Sequence, residues 1–171
     1  MTRLFTIAAL LLLAVPAAFA APPAGQGSSA SKACKEQRKA VGMNAFRLQY
    51  APTGSPKAAM AACLAQQVQL VTTEAKNAAK ACRAERAQSL TAFNQKYGNK
   101  RNAFGKCVSS TTAEEVEEQQ QDVLNAAKAC KSERGTTAQS IAAFNTEHGT
   151  NPNKRNAFGK CVSKLANAKS S

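Results

Sequence analysis

The chain has 171 residues, 23 of them basic and 10 acidic, a formal net charge of +13, six cysteines and no tryptophan. Only 5% of its residues are aromatic, and alanine supplies most of the apolar fraction. Alanine favours helix and buries little area, so a large aromatic-rich core is excluded and something must supplement a thin one.

The N-terminus reads as an export signal. Arg3 is followed by an apolar run from Leu4 to Val15, a break at Pro16, and small residues at Ala18 and Ala20 around Phe19. This pattern predicts cleavage after Ala20, and the run is short for a membrane-spanning helix. No other segment is apolar enough to cross a bilayer. The chain is therefore expected to be secreted or extracytoplasmic. Without Arg3, 22 basic residues face 10 acids, a net charge of +12. The next stretch, APPAGQGSSAS, reads as a flexible leader.

Three units of one pattern follow. KACKEQR begins at Lys32, KACRAER at Lys80 and KACKSER at Lys128. Each then has a Phe with a ring four residues on: Phe46 and Tyr50, Phe93 and Tyr97, Phe144 and His148. Each ends on a second cysteine, within AAMAACL, NAFGKCV and NAFGKCV. KRNAFGKCVS occurs twice without change, at Lys100–Ser109 and Lys154–Ser163, and the first unit is the most diverged. A tandem repeat is the sequence signature here. The chain divides into 1–20 signal peptide, 21–31 leader, 32–65 repeat 1, 66–79 spacer helix, 80–109 repeat 2, 110–127 acidic spacer helix, 128–164 repeat 3 and 165–171 tail.

In an exported chain six cysteines are expected to form disulfides. Unit phase favours Cys34–Cys63, Cys82–Cys107 and Cys130–Cys161, since a unit that carries its own staple tolerates duplication. The competing scheme joins Cys63–Cys82 and Cys107–Cys130 and pairs the end cysteines. Within units, each bridge closes a loop of about 26–32 residues, worth roughly 3–4 kcal/mol on the loop-entropy model.

TTEAKNAAKACRAERA is dense in helix formers. Ser89 and Ser140 are expected to cap the short helices LTAFNQKY and IAAFNTEH, with Gly98 and Gly149 as left-handed closing residues. Phe104, Cys107 and Val108 fall on one helical face, expected to point inward. Gly105 and Gly159 are expected to let helices approach beside the bridge. In the third unit, GTT and TNP are extra turn-like segments, and Thr112–Glu115 has the capping-box pattern for the start of the second spacer helix. The predicted fold is all-α: three disulfide-stapled helical units joined by helical spacers.

The charge is uneven. Glu114, Glu115, Glu117, Glu118 and Asp122 place half the acids in one spacer, whereas Lys76 to Lys106 holds eight basic residues and one acid, Glu85. Such a field attracts polyanions. Lys100, Arg101 and Lys106, with their twins Lys154, Arg155 and Lys160, are the candidate anion-binding residues. An anionic cell-envelope polymer or a membrane surface is the expected partner; a protein partner with charge kept only for solubility is the alternative. Phe104 and Phe158 lie among cations as stacking platforms do, but their helical spacing with a cysteine and a valine argues for core, and no nucleic-acid module is present.

Catalytic and metal patterns are missing from the sequence. There is no Gly-x-Ser-x-Gly, phosphate loop, His-Glu-x-x-His or Cys-x-x-Cys. His148, the one histidine, takes the ring position of its unit, and an ion pair or a helix-end contact accounts for Glu85–Arg86 and Glu133–Arg134 better than acid catalysis. The closest cysteines are 19 apart, against the short spacing of structural zinc sites. No cofactor and no enzyme activity are expected, an extracellular enzyme being the weakest alternative. The pattern Cys-x-x-Glu-Arg … Phe-x3-Tyr-Gly … Asn-Ala-Phe-Gly-Lys-Cys-Val resembles a cysteine-containing helical repeat of exported bacterial proteins. It covers Lys80–Ser109 and Lys128–Ser163 well and Lys32–Ala65 loosely. The resemblance implies export and lends no activity.

Overall fold

The computed structural model describes residues 26–98 and 101–168, with backbone alone for 26–28. The signal-peptide expectation, most of the leader, Lys100 and residues 169–171 fall outside the described residues. The described chain is all-helical: α1 (Gln26–Val41), α2 (Met43–Tyr50), α3 (Pro56–Gln88), α4 (Leu90–Tyr97), α5 (Ala103–Arg134), α6 (Ala138–His148) and α7 (Ala157–Asn167). The disulfides join Cys34 to Cys63, Cys82 to Cys107 and Cys130 to Cys161, with Cα atoms 6.0, 6.1 and 6.0 Å apart.

The spacers are not separate helices. α3 carries Cys63, the first spacer and Cys82 in 33 unbroken residues, and α5 carries Cys107, the acidic spacer and Cys130 in 32. At 1.5 Å per residue each rod is about 50 Å long. The Thr112–Glu115 pattern therefore starts nothing. It lies inside α5, because Ala, Glu and Gln on both sides propagate helix and a capping pattern acts only where the chain is already broken. The two ends of the chain also depart from expectation. Helix begins at Gln26, inside the predicted leader, and α7 runs to Asn167, with Ala166 of the predicted tail buried in the core.

α3 and α5 run antiparallel and touch along their length. Ala59, Cys63, Gln67, Val71, Glu74, Ala78 and Cys82 form one buried stripe on α3. Its apolar side chains are small, and its two polar members are satisfied across the pair: Gln120 Nε2 donates to Gln67 Oε1 at 2.8 Å and Gln119 Nε2 to Glu74 Oε1 at 2.8 Å. A thin interface of this kind holds the rods together partly by registered amide bonds.

The antiparallel pair brings units 1 and 3 together and leaves unit 2 at the far end. One core joins Cys34, Val41, Phe46 and Cys63 of unit 1 to Ala127, Cys130, Phe144, Phe158, Cys161 and Val162 around unit 3. α2 packs against α7, and α1 against α3 and α5. Unit 2 has a core of its own with four buried side chains, Cys82, Phe93, Ala103 and Cys107, and Tyr97, Phe104 and Val108 against them.

Local chemistry sets the breaks between helices. Ser55 caps α3 by accepting from Ala58 N at 3.2 Å, with Pro56 as first helical residue, and Ser89 caps α4 by accepting from Ala92 N at 3.2 Å. The α6 cap is Thr137, which accepts from Ser140 N at 3.1 Å, so Ser140 is a partner of the cap and not the cap itself. Gly135, with φ +59°, turns the chain out of α5 two residues earlier, which gives the extra GTT segment its purpose. Gly98 has φ +82° as expected, but Gly149 has φ −78°. Gly149 is a matter of space: a Cβ there would stand 2.5 Å from Asn145 O and 2.8 Å from Lys154 Cβ.

The small size of the unit 2 core makes its bridge decisive. Replacing Cys82 and Cys107 by Ser should cost about 3–4 kcal/mol on the loop-entropy model. The loss should be local: hydrogen exchange should show α4 amides losing protection while those of α7 keep theirs. Uniform loss across both cores would show that unit 2 is not an independent cooperative region.

Candidate functional site

Within each unit the ring four residues after the Phe meets the side chain three residues after the first cysteine. Tyr50 OH donates to Gln37 Oε1 at 2.6 Å and Tyr97 OH to Glu85 Oε2 at 2.9 Å; His148 Nε2 lies 2.6 Å from Glu133 Oε1. The same rings lean on their Phe with centroids 4.9, 4.8 and 4.6 Å apart, tilted by 50°, 50° and 53°. The i, i+4 spacing stacks the two rings on one helix face, and the acceptor on the preceding helix fixes the outer one. Each unit is thus closed twice, by a covalent bridge and by a ring–acceptor clasp.

Of the two expectations for Glu85–Arg86, an ion pair or a helix-end contact by the arginine, the clasp replaces the first. The Glu85 carboxylate instead receives Tyr97 OH and Lys96 Nζ, the latter at 2.8 Å, and Lys96 Nζ also stands 4.9 Å from the Tyr97 ring centroid. These two donors, Lys96 first, hold the Glu85 carboxyl below its ordinary range, and Glu85 in turn raises Lys96. In unit 1 burial pushes the Tyr50 phenol up to about 12, the Gln37 hydrogen bond acting the other way. Sequence reasoning passed over Gln37, Glu85 and Glu133 as members of the clasp. The signal was present, since acceptor and ring recur together in all three units, but nothing in the spacing says that they touch.

The duplicated KRNAFGKCVS segment occupies two different settings. In unit 3, Phe158 is 2% exposed, meets Phe144 at a centroid distance of 6.2 Å, and Gly159 comes so close to unit 1 that a Cβ would stand 3.1 Å from Gln49 O. In unit 2, Phe104 is only half-buried and a Cβ on Gly105 would meet nothing within 4 Å. The close-approach role expected for both glycines holds for Gly159 alone, because only unit 3 has another unit packed on that face.

The cations differ likewise. Arg101 and Lys106 are exposed at the start of α5. Lys154 adopts φ +55°, and its ammonium donates to Gly149 O at 2.9 Å, so that cation is occupied in holding its own loop. Asn156 closes the same loop by accepting from the backbone of Thr150 at 3.1 Å and Asn151 at 3.4 Å. Arg155 and Lys160 are exposed, Lys160 beside a cleft shared with Leu48, Gln49 and Pro52 of unit 1. Arg101 and Lys106 belong to a run of exposed cations on unit 2 and the end of α3 leading to it, with Lys76, Lys80, Arg83 and Arg86; Lys35, Arg38 and Lys39 on α1 and Lys128 and Lys131 on α5 are exposed as well. Glu114, Glu115, Glu117 and Glu118 are exposed further along α5.

A groove of about 620 Å³ lies between α1, α3 and α5. Val71, Val108, Val116 and Leu124 line it together with Gln67 and Gln120. Thr112 Oγ1, also at its wall, is buried with no hydrogen-bond partner among the described residues. Among the described residues no helix is long and apolar enough to cross a membrane.

The clasp gives the units a defined pH response. Tyr50 holds its proton above the ordinary value of 10.0, so its contribution is complete below that pH and is lost as pH rises from 10.0 towards about 12. Glu85 is depressed, so its contribution is present above the ordinary carboxylate range and lost as pH falls through it. Tyr50→Phe should cost about 1 kcal/mol at neutral pH and should flatten the alkaline loss of thermal stability relative to the unsubstituted chain. Parallel alkaline melting curves for the two proteins would show that Tyr50 does not carry it.

No family model, no curated protein and no solved structure matches this chain.

Proposed function

We propose that this chain is an exported, cationic repeat protein that binds an anionic polymer of the cell envelope through the unit 2 lobe, and that it acts by binding without chemistry of its own. Three disulfides fit an oxidising, extracytoplasmic compartment, as does the signal-like N-terminus. The observation that carries the proposal is the charge of the lobe. Between Lys76 and Lys106 the single acid, Glu85, is already engaged by Lys96 and Tyr97, while six cations around it are exposed. Uncompensated lysines and arginines on a projecting lobe attract a phosphate- or carboxylate-bearing polymer and release its counter-ions on contact.

A second reading rests on the groove between α1, α3 and α5, whose mixed apolar and amide lining suits a protein segment. That association would be insensitive to salt.

Charge reversal separates the two. Retention of the protein on isolated envelopes should fall steeply from low to high salt, and a Lys80→Glu, Arg83→Glu, Arg101→Glu, Lys106→Glu variant should lose it even at low salt. All four side chains are exposed, so the variant should keep its helicity. Reversing Arg155 and Lys160 in unit 3 should have the smaller effect, because that unit is partly covered by unit 1. Retention that ignores both salt and the unit 2 substitutions would overturn the polyanion proposal in favour of a protein partner.

A further inference from the structure

Unit 3 differs from its fellows at the clasp. Where units 1 and 2 place a phenol, it places an imidazole, and it does so beside its own bridge. Glu133 Oε1 lies 2.6 Å from His148 Nε2, and Glu133 Oε2 lies 3.8 Å from Cys161 Sγ. One donor atom from each of Glu133, His148 and Cys161 lies within 4.8 Å of the others. Cys130, bonded to Cys161, sits three residues before Glu133 on the same helix, α5. Three ligand-type side chains from α5, α6 and α7 thus converge, one sulfur, one imidazole nitrogen and one carboxylate oxygen, and the bridge holds a second sulfur, that of Cys130, next to the first.

With the bridge closed the two sulfurs are bonded to each other and are not thiolates. With it open they are a dithiol. We propose that unit 3 with its bridge open is a site for a zinc-class divalent cation, held by Cys130, Cys161, His148 and Glu133. Tetrahedral zinc takes sulfur at about 2.3 Å and nitrogen or oxygen at about 2.0–2.2 Å, so its ligand atoms stand roughly 3.3–3.8 Å apart. The observed spread closes to that by rotation of side chains, and Glu133, the most exposed of them, is the one with room to turn. The sequence disfavours zinc because the cysteines are far apart along the chain; the fold removes that objection by bringing α5, α6 and α7 to one place.

The step balances in either direction. A dithiol reductant opens the bridge, becoming a disulfide itself, and leaves two Cys thiols. Binding of the cation displaces one proton from each thiol. A disulfide oxidant then takes two electrons from the two thiolates, the Cys130–Cys161 bond re-forms, the oxidant leaves as two thiols after taking up two protons, and the cation departs. Ion and staple are mutually exclusive states of the same two sulfurs. Units 1 and 2 are internal controls, since a Gln37–Tyr50 or Glu85–Tyr97 pair beside the bridge supplies no imidazole.

The test uses the full chain, fully reduced and kept from air, titrated with Co²⁺ as the probe. We expect one Co²⁺ per chain with sulfur-to-metal charge-transfer absorption and tetrahedral d–d bands, displaced by Zn²⁺. His148→Tyr installs the residue that the other two units carry, and should weaken binding by about tenfold or more, the loss that even an outer partner of a metal ligand causes. Cys82→Ser with Cys107→Ser should leave the tight site intact. Helicity is followed in each titration. If reduction unfolds the chain, Co²⁺ should restore helix in the unsubstituted protein and not in His148→Tyr. Equal isotherms, or equal recovery of helix, for these two proteins would overturn the proposal, as would tight binding that survives Cys130→Ser with Cys161→Ser.

Discussion

Each bridge fixes two helices with Cα atoms 6.0 or 6.1 Å apart, and the alanine-rich helices around it depend on that distance. A buried alanine removes a single methyl group from water, so a helix face made of alanines gains little by docking. Covalent closure changes the balance, because the unfolded chain loses freedom that folding would otherwise have to remove. The ring–acceptor clasp then finishes what the bridge begins. It lies at the end of the short helix, α2, α4 or α6, on the face that carries the Phe, so that helix is held through the Phe ring and through the outer ring beside it. One half of each unit is pinned by sulfur and the other by a hydrogen bond.

Much of this was legible in the sequence because it is periodic. Cysteine phase, the Phe and ring four apart, and the capping serine at 89 each repeat at fixed offsets, and local chemistry then decides the element. The failures are equally physical. Ser140 and Thr137 are both good caps, and which one serves depends on where Gly135 lets the chain leave α5. Gly149 looked like a left-handed position by analogy with Gly98, but three additional residues before Asn153 give the loop a different path. The positive φ passes to Lys154, and Gly149 remains because Asn145 O and Lys154 leave no room for a Cβ.

The continuity of α3 and α5 departs further from the sequence pattern. A capping pattern at Thr112 reads as the start of a helix only if something ends the preceding one, and between Cys107 and Thr112 there is neither glycine nor proline. The candidate site was less legible than the fold for a related reason. Six cations named from the duplicated segment look equivalent as sequence, but Lys154 is spent on Gly149 O and unit 3 faces unit 1, so equal residues in equal segments present unequal surfaces.

That inequality follows from the topology. Consecutive units are joined by unbroken rods about 50 Å long, with a short unit as the turn between them. Two antiparallel rods return the third unit to the first, and nothing returns the second. Units 1 and 3 can then bury Phe46, Phe144 and Phe158 in one shared core, whereas unit 2 keeps its Phe93 among only three other buried side chains. A middle unit placed in this way has the least core. The position of a unit in the chain, more than its own sequence, decides whether its copy of KRNAFGKCVS serves as packing or as surface.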